Sequence, residues 1–383
     1  MIWPFRPAKE LLEGIESYTD IQRAYSEEQR IRLVEIPRRR LSHTYTLKAR
    51  DFERARLMMR GLHPAPFDVP DWSNFPRAVT AVAGATSLAF DNTWPEFTVD
   101  LDLIIWQDNE TYELLSVSGS SSAGLTLATP LDNDYPSGQV LRLISCDAQS
   151  GFEGQHPAGP FRSAQVEWLC YDDSLATADS SSLSTYRGDF LLDDCPLVGS
   201  DPVPEAIHRV YQSVENGIAR PFVDTALGQA SETLGLFWQP TTRAEAWTLR
   251  RQLLALRGQQ KAFWLPSFNN ALELAATATS GAGSVTVREI GLATGYPSGA
   301  LDFYMRLTSG TVITRQVTAV TPGTGTEVLT LSGTMPQTVV QADIAQFCLL
   351  QRMRLAQDRV EWLHRPGAWP KVVVAAQEAP VPS

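Results

Sequence analysis

The sequence predicts a mainly β (α+β) protein, built as two tandem copies of a β-sandwich-like module with one helix, each interrupted by a small β-barrel insert. Three observations predict it. Short alternating Thr/Val/Gly-rich runs broken by turn residues fill residues 76–146 and 270–348, the pattern of small barrels and sandwiches. Each half carries one helical pattern. The chain also repeats itself in order. Phe67-Asp68-Val69-Pro70-Asp71-Trp72 has a counterpart in Phe263-Trp264-Leu265-Pro266-Ser267-Phe268. Gly84-Ala85-Thr86-Ser87-Leu88 matches Gly281-Ala282-Gly283-Ser284-Val285, and Leu125-Thr126-Leu127 matches Leu329-Thr330-Leu331. Val166-Glu167-Trp168-Leu169 recurs unchanged as Val360-Glu361-Trp362-Leu363, Cys146 falls opposite Cys348, and Pro37 opposite Pro240. A collinear series of this kind is the mark of a tandem duplication.

The elements follow in chain order. A leader, roughly 1–25 and 205–227, precedes alternating residues such as Arg30–Ile36, which read as a strand. A helix is expected over about 50–60, ended by Gly61, and again from Thr242 to Arg257, ended by Gly258. Thr242 and Glu245 have capping-box spacing, and a glycine suits the left-handed residue at a helix C-terminus. A short aromatic-Pro strand surrounds Pro70 and Pro266. Next come the inserts, with Ser118–Gly124 and Pro322–Thr326 as hairpin loops. A long strand, Ala164–Tyr171 or Arg352–Leu363, then closes each module. The expected boundaries are 1–75 plus 162–172 for the first module and 76–150 for its insert. An acidic, Ser-rich linker takes 173–204. The second module takes 205–269 plus 349–365, its insert 270–348, and a mobile C-terminal segment 366–383.

Composition narrows the function. With 383 residues and 43% apolar content the chain can bury cores. A net charge of −11 argues against a protein that grips nucleic acid, because phosphate binding needs surplus Lys and Arg. Cys146, Cys170, Cys195 and Cys348 have no zinc spacing and read as buried thiols. The opening Met1-Ile-Trp-Pro-Phe-Arg-Pro reads as no signal peptide, and no run is long enough for a membrane anchor, so synthesis in the cytoplasm is expected. His43, His63, His156, His208 and His364 stand singly, which points to no metal site. Asp132-Asn133-Asp134, Asp172-Asp173 and Asp193-Asp194 with Asp201 read as solvated loops, and Arg187-Gly188-Asp189 as a chance tripeptide in a loop. No phosphate-binding glycine loop or nucleophile elbow is present. Acids near Trp72, Trp94 and Trp106 do not single out a glycosidase pair. No cofactor and no catalytic residue are expected. The candidate module-packing or interface residues are Trp168 and Trp362 on the closing strands, Trp72 and Phe268 beside the aromatic-Pro strands, and Arg38-Arg39-Arg40. The arginines read either as charge pairs with a neighbouring subunit or as a solvated face.

Several segments resemble a family of tail proteins from long-tailed bacteriophages. They are Trp3-Pro4-Phe5-Arg6-Pro7, Tyr18-Thr19-Asp20-Ile21, Glu28-Gln29-Arg30-Ile31-Arg32-Leu33, Pro37-Arg38-Arg39, Ala83–Leu88 and Leu127–Gly138. The duplicated layout over about 1–365 is similar to that family, whereas the second copy departs from it with Glu232-Thr233-Leu234 in place of Glu28-Gln29-Arg30. The resemblance implies a structural ring protein at the distal end of the tail, located in the virion. Its implied partners are itself, the tail tube protein, the baseplate hub or tail tip proteins, and the tape measure protein as a further candidate. Two modules per chain would let a trimer present six quasi-equivalent units to a hexameric tube, with a hexamer of whole chains as the other stoichiometry. A second reading has the inserts, through Trp94 and Trp106, bind host-surface carbohydrate.

Overall fold

The computed structural model describes all residues except 9, 25–26, 62–65, 95–96, 150, 156–158, 172–182, 197–203, 210–211, 215–221, 225–229, 296–300, 366–367 and 381–383. Among the described residues strand accounts for 52% and helix for 11%, so the fold is mainly β as the alternating runs predict. Among the described residues, no helix is long and apolar enough to cross a membrane.

The first half begins with β1 (Leu11–Glu16), β2 (Thr19–Ala24), β3 (Glu27–Arg32), β4 (Arg38–Lys48), α1 (Ala49–Gly61) and β5 (Phe67–Pro70). Its insert holds β6 (Arg77–Ala81), β7 (Ser87–Ala89), β8 (Leu103–Trp106), β9 (Tyr112–Leu115), β10 (Val117–Ser121) and β11 (Gly124–Leu127). Then come β12 (Tyr135–Ala148), β13 (Glu153–Gln155) and β14 (Phe161–Cys170). The second half starts with β15 (Ser184–Tyr186), β16 (Asp189–Leu191), β17 (Glu205–Arg209), β18 (Gln212–Val214), β19 (Phe222–Asp224), β20 (Ala230–Trp238), α2 (Arg243–Leu256) and β21 (Ala262–Pro266). It continues through β22 (Ser284–Arg288), α3 (Leu292–Gly295), β23 (Leu301–Leu307), β24 (Val312–Pro322), β25 (Thr326–Leu331), β26 (Ile344–Leu355), β27 (Arg359–His364) and β28 (Lys371–Glu378).

The two halves share one order of antiparallel pairing. In the first, β1 lies on β4, β4 on β14, β14 on β12 and β12 on β5. In the second, β17 lies on β20, β20 on β28, β28 on β26 and β26 on β21. A hairpin follows β1 and another follows β17, β2–β3 and β18–β19 respectively. The aromatic-Pro strands correspond, since Phe67 faces Cys146 and Phe263 faces Met353. So do Leu88 with Val285 and Leu125 with Leu329, which face one another within their inserts.

Other sequence matches do not coincide in space. Leu41 faces Trp168 and Leu234 faces Ala376, so β14 corresponds to β28. The second Val-Glu-Trp-Leu lies instead on β27, which corresponds to β13. Each of those two strands is the outer member of a hairpin, with β28 or β14. Cys146 corresponds to Met353, and Cys348 lies in the insert part of β26, facing Tyr304. Pro37 precedes β4 while Pro240 follows β20, so they are not counterparts either. The physical reason is shared patterning. Any strand alternating apolar and polar residues around a buried Trp resembles any other, and only register distinguishes them.

Among the described residues each half has two large cores and a smaller cluster where insert and module join. Trp3, Phe5, Tyr45, Phe67, Val166 and Trp168 centre the first module, whereas Val79, Phe97, Leu103, Ile105 and Leu125 fill its insert. Leu236, Trp238, Leu253, Phe263, Met353 and Trp362 centre the second, whereas Val287, Phe303, Met305 and Phe347 fill its insert. β12 and β26 run unbroken from insert into module. β12 pairs with β6 and β8 up to Arg142, then with β5 from Leu143, so the first insert ends near 142 rather than 150.

Three further expectations are corrected. The strand read over Arg30–Ile36 stops at Arg32. The segment expected as a linker is partly structure: β16 runs parallel to β21, and Leu183 and Leu192 join the second core. The rest of that linker, 173–182 and 197–203, lies outside the described residues. The C-terminal segment expected to be mobile carries β28, whose Val372, Val374 and Ala376 are core residues paired to β20.

Both helices form where expected, but Gly61 is the last residue of α1 and takes no left-handed φ, whereas α2 matches its end signals. Thr242 Oγ1 accepts the Glu245 amide at 3.2 Å, and the Glu245 carboxylate reaches back to the Thr241 amide at 2.8 Å. Arg257 (φ 56°) and Gly258 (φ 62°) then turn left-handed and end α2.

Candidate functional site

The halves meet where β1 leaves the first module and pairs antiparallel with β27 of the second, Leu11 facing His364 and Glu16 facing Arg359. β1 therefore lies between β4 and β27, paired on both edges. Side chains on one face of β1 alternate with those on the other. Ile15 reaches the second module's core, where it is 4% exposed. On the same face Glu13 is fully buried.

Glu13 is the electrostatic centre of this junction. Arg39 Nε donates to its Oε1 at 2.5 Å; Arg250 donates through Nη2 to Oε1 at 2.5 Å and through Nη1 to Oε2 at 2.9 Å. His364 Nε2 lies 3.0 Å from Oε2. Arg39 also donates to Asp71 at 2.9 Å and to Ser73 Oγ. Burial alone would raise the Glu13 pKa, but the Arg250 and Arg39 guanidiniums and His364 outweigh it and hold the carboxyl well below the usual range. Arg39 comes from β4 of the first half, Arg250 from α2 and His364 from β27 of the second. One carboxylate thus ties three elements across the boundary.

Asp358, in the β26–β27 turn, forms a second tie. It accepts from the Thr19 amide and hydroxyl, both at 2.8 Å, and from the Gln259 amide at 2.9 Å, while its carbonyl accepts the Ser17 amide. Gly258 makes room for it: a Cβ there would lie 2.5 Å from Asp358 Oδ1 and 2.7 Å from Ser17 Cβ. Two further contacts widen the junction. Arg354, almost fully buried on β26, pairs with Glu28 of β3 at 2.8 Å. The first insert reaches α2 through Asp91 and Arg243, 3.4 Å apart, and through Trp94 beneath Arg251.

Six of the seven candidate residues lie in cores or at this junction, and the seventh, Arg38, faces solvent. Trp168 is intramodule core, edge-on to Trp3 at 5.2 Å and donating to Tyr45 Oη at 3.2 Å. Trp362 belongs to the junction: it faces Glu13 in register, stacks on His364 and lies under Arg250. Trp72 packs edge-on against Trp106 at 4.9 Å, with Arg6 over its ring. Phe268 packs against the second core in a left-handed conformation, φ 55°. The three arginines alternate as a strand requires. Arg39 points inward to Glu13, Arg40 pairs with Glu16 at 2.9 Å, and Arg38 lies exposed over the Tyr18 ring.

Other sequence features resolve locally. Arg187 and Gly188 take positive φ in the β15–β16 turn, Arg187 pairs with Asp302, and Asp189 pairs with Arg352. Asp134 accepts the Ala83 amide, and Asp193 pairs with Arg306. Ser118–Gly124 forms the β10–β11 hairpin. His63, His156, Asp172, Asp173 and Asp201 lie outside the described residues. Among the described residues no cluster of His, Cys, Asp or Glu is placed to hold a metal. Three thiols are buried, but Cys195 is exposed, contrary to the expectation for all four. Trp106 is 7% exposed and donates to the Pro4 carbonyl, so it offers no platform to a ligand.

Sequence reasoning misses Glu13, Arg250 and Asp358, and it reads His364 only as one of five isolated histidines. Glu13 has a weak signal, an acid inside the apolar run Leu11-Leu12-Glu13-Gly14-Ile15. Arg250 has one too, lying on the helix face that carries Ala246, Leu249 and Leu253. Asp358 has none. Comparison with known protein families and with curated proteins finds no match.

Proposed function

We propose that the chain is a structural component of the distal end of a bacteriophage tail, a distal tail or baseplate ring protein. It would join the tail tube to the hub and host-recognition apparatus around a central channel. In this reading two modules of common descent give three copies about six quasi-equivalent units. The observation that carries the reading is the junction itself. One half presents β1, and the other receives it on β27, so two units of one pairing order meet head to tail. Head-to-tail contacts, unlike two-fold ones, extend into rings or filaments. The tail motifs and the acidic charge, suited to a channel that DNA must traverse without sticking, add support.

Two measurements test it. A gold-labelled antibody against the chain is expected to mark the distal end of intact phage tails, and label confined to the capsid or absent from particles would overturn the reading. Native mass spectrometry of the purified ring is expected to give three chains, and six chains would replace the trimer with the hexamer. Recognition of host carbohydrate through the inserts loses its main support, because Trp106 is buried and Trp94 is covered by Arg251.

A further inference from the structure

Register assigns each junction strand a counterpart in the other half. Glu13 on β1 faces Leu41, and Glu205 on β17 faces Leu234, so β17 holds the place of β1 and Ile207 that of Ile15. Glu361 on β27 faces Val373, and Glu153 on β13 faces Gln165, so β13 holds the place of β27 and Phe152 that of Val360. β1 and β27 pair with each other inside the chain. Their counterparts each have a partner on one side alone among the described residues: β17 on β20, β13 on β14.

Exposure differs as an unfilled contact would make it. Ile15 is 4% exposed, whereas Ile207 is 66% exposed. Glu153, Gly154 and Gln155 are all exposed. An open edge carrying an exposed isoleucine is a template for another strand.

Charge is complementary too. Glu13 has Arg39 beside it, but the place of Arg39 is taken by Glu232, so Glu205 lies near another acid, and Glu378 accepts the Glu232 amide. The missing cation is available on the other face. In α2, buried Ala246 and Leu249 precede Arg250; in α1, buried Phe52 and Ala55 stand in the same spacing before Arg56. Arg56 is 45% exposed and pairs with the similarly exposed Glu53 one turn back at 2.7 Å. Such a solvent-screened pair leaves it able to turn to a second acid. Phe52 ahead of it packs on Phe152 beside β13.

We propose that β17 of one copy pairs antiparallel with β13 of a second copy of this chain, with Ile207 facing Phe152, Ala206 facing Glu153 and Glu205 facing Gly154. The contact repeats between chains the β1–β27 pairing made within each. Arg56 of the receiving chain supplies Glu205 with the counter-charge that Arg250 supplies to Glu13. The pairing rests on the ring reading above and specifies the self-contact that reading requires.

Full-length chain with Cys195→Ser, Ile207→Cys and Phe152→Cys, mildly oxidised, is expected to give a ladder of disulfide-linked chains on a denaturing gel. The same chain with Gln155→Cys in place of Phe152→Cys shifts the second thiol three residues along the strand and is expected to stay unlinked. Ile207→Arg, at an exposed position that leaves the fold intact, is expected to weaken self-association by about tenfold or more in sedimentation velocity. Glu205→Arg is expected to weaken it as well, and Arg56→Glu in the same chain to restore it. Oligomers that form without the Ile207–Phe152 link and are unchanged by Ile207→Arg would overturn this pairing while leaving the ring reading intact. A chain monomeric at ~100 μM overturns the pairing also, and the ring reading is then decided separately by where the antibody labels the particle.

Discussion

Glu13 is a buried carboxylate that costs stability unless its partners are all in place. Replacing it with Ala would leave Arg39 and Arg250 buried without their shared anion, and breaking such a pair costs about 3–5 kcal/mol. Chemical denaturation of Glu13→Ala is expected to read a loss of that size. The wild-type contribution is also pH-dependent. Because the folded pKa of Glu13 lies below the ordinary 4.5, its stabilisation is fully present above that value and is lost as pH falls through the folded pKa. His43 acts in the same direction at higher pH. Burial, with the Arg39 and His364 charges adding to it, depresses its pKa to about 3 from the usual 6.5. The unfolded chain therefore takes up a proton below pH 6.5 that the folded chain refuses. Stability is expected to fall by about 2 kcal/mol between pH 6.5 and 5 from this residue, at 1.36 kcal/mol per unit. Urea titrations across that range check it: His43→Leu is expected to flatten the slope, and an unchanged slope would sink the assignment.

At the scale of elements, the turn after α2 decides how the second module presents itself to the first. Gly258 combines a left-handed φ with a backbone too close to Asp358 and Ser17 for a side chain. Gly258→Val is expected to cost about 2 kcal/mol or more from strain and to release the Asp358 tie, which faster amide exchange at Thr19 and Gln259 would report. Both helices, the aromatic-Pro strands and the β10–β11 hairpin were legible in the sequence, because capping residues, glycines and turn residues act within a few positions. β14 and β28 were not matched correctly. The repeated Val-Glu-Trp-Leu places a Trp in the core in both halves, on the central β14 in one and on the outer hairpin strand β27 in the other. Side-chain burial was readable there, but the neighbouring strand was not. The same limit concealed β28, a run of Val and Ala at the end of a Pro-rich segment, whose order comes from β20 and β26 on either side.

Across the whole molecule, the halves share a sheet, an apolar contact at Ile15 and the Glu13 and Asp358 ties. A junction of this kind couples unfolding. Calorimetry of the wild-type chain is expected to show a single transition, and the double variant Glu13→Ala with Asp358→Ala is expected to resolve two. Two well-separated wild-type transitions would show that the junction is too weak to couple the halves. By itself the sequence determined a mainly β chain with one long helix in each half and a net charge of −11. All of these follow from periodicity, composition and local turn chemistry. Only the tertiary structure decided that Arg39 points inward to Glu13 while Arg38 faces solvent, that β1 crosses to the second half, and that β13 and β17 each pair on one edge alone among the described residues. Those outcomes depend on register between residues hundreds of positions apart, and a period of two residues is the same on every strand until a partner is chosen.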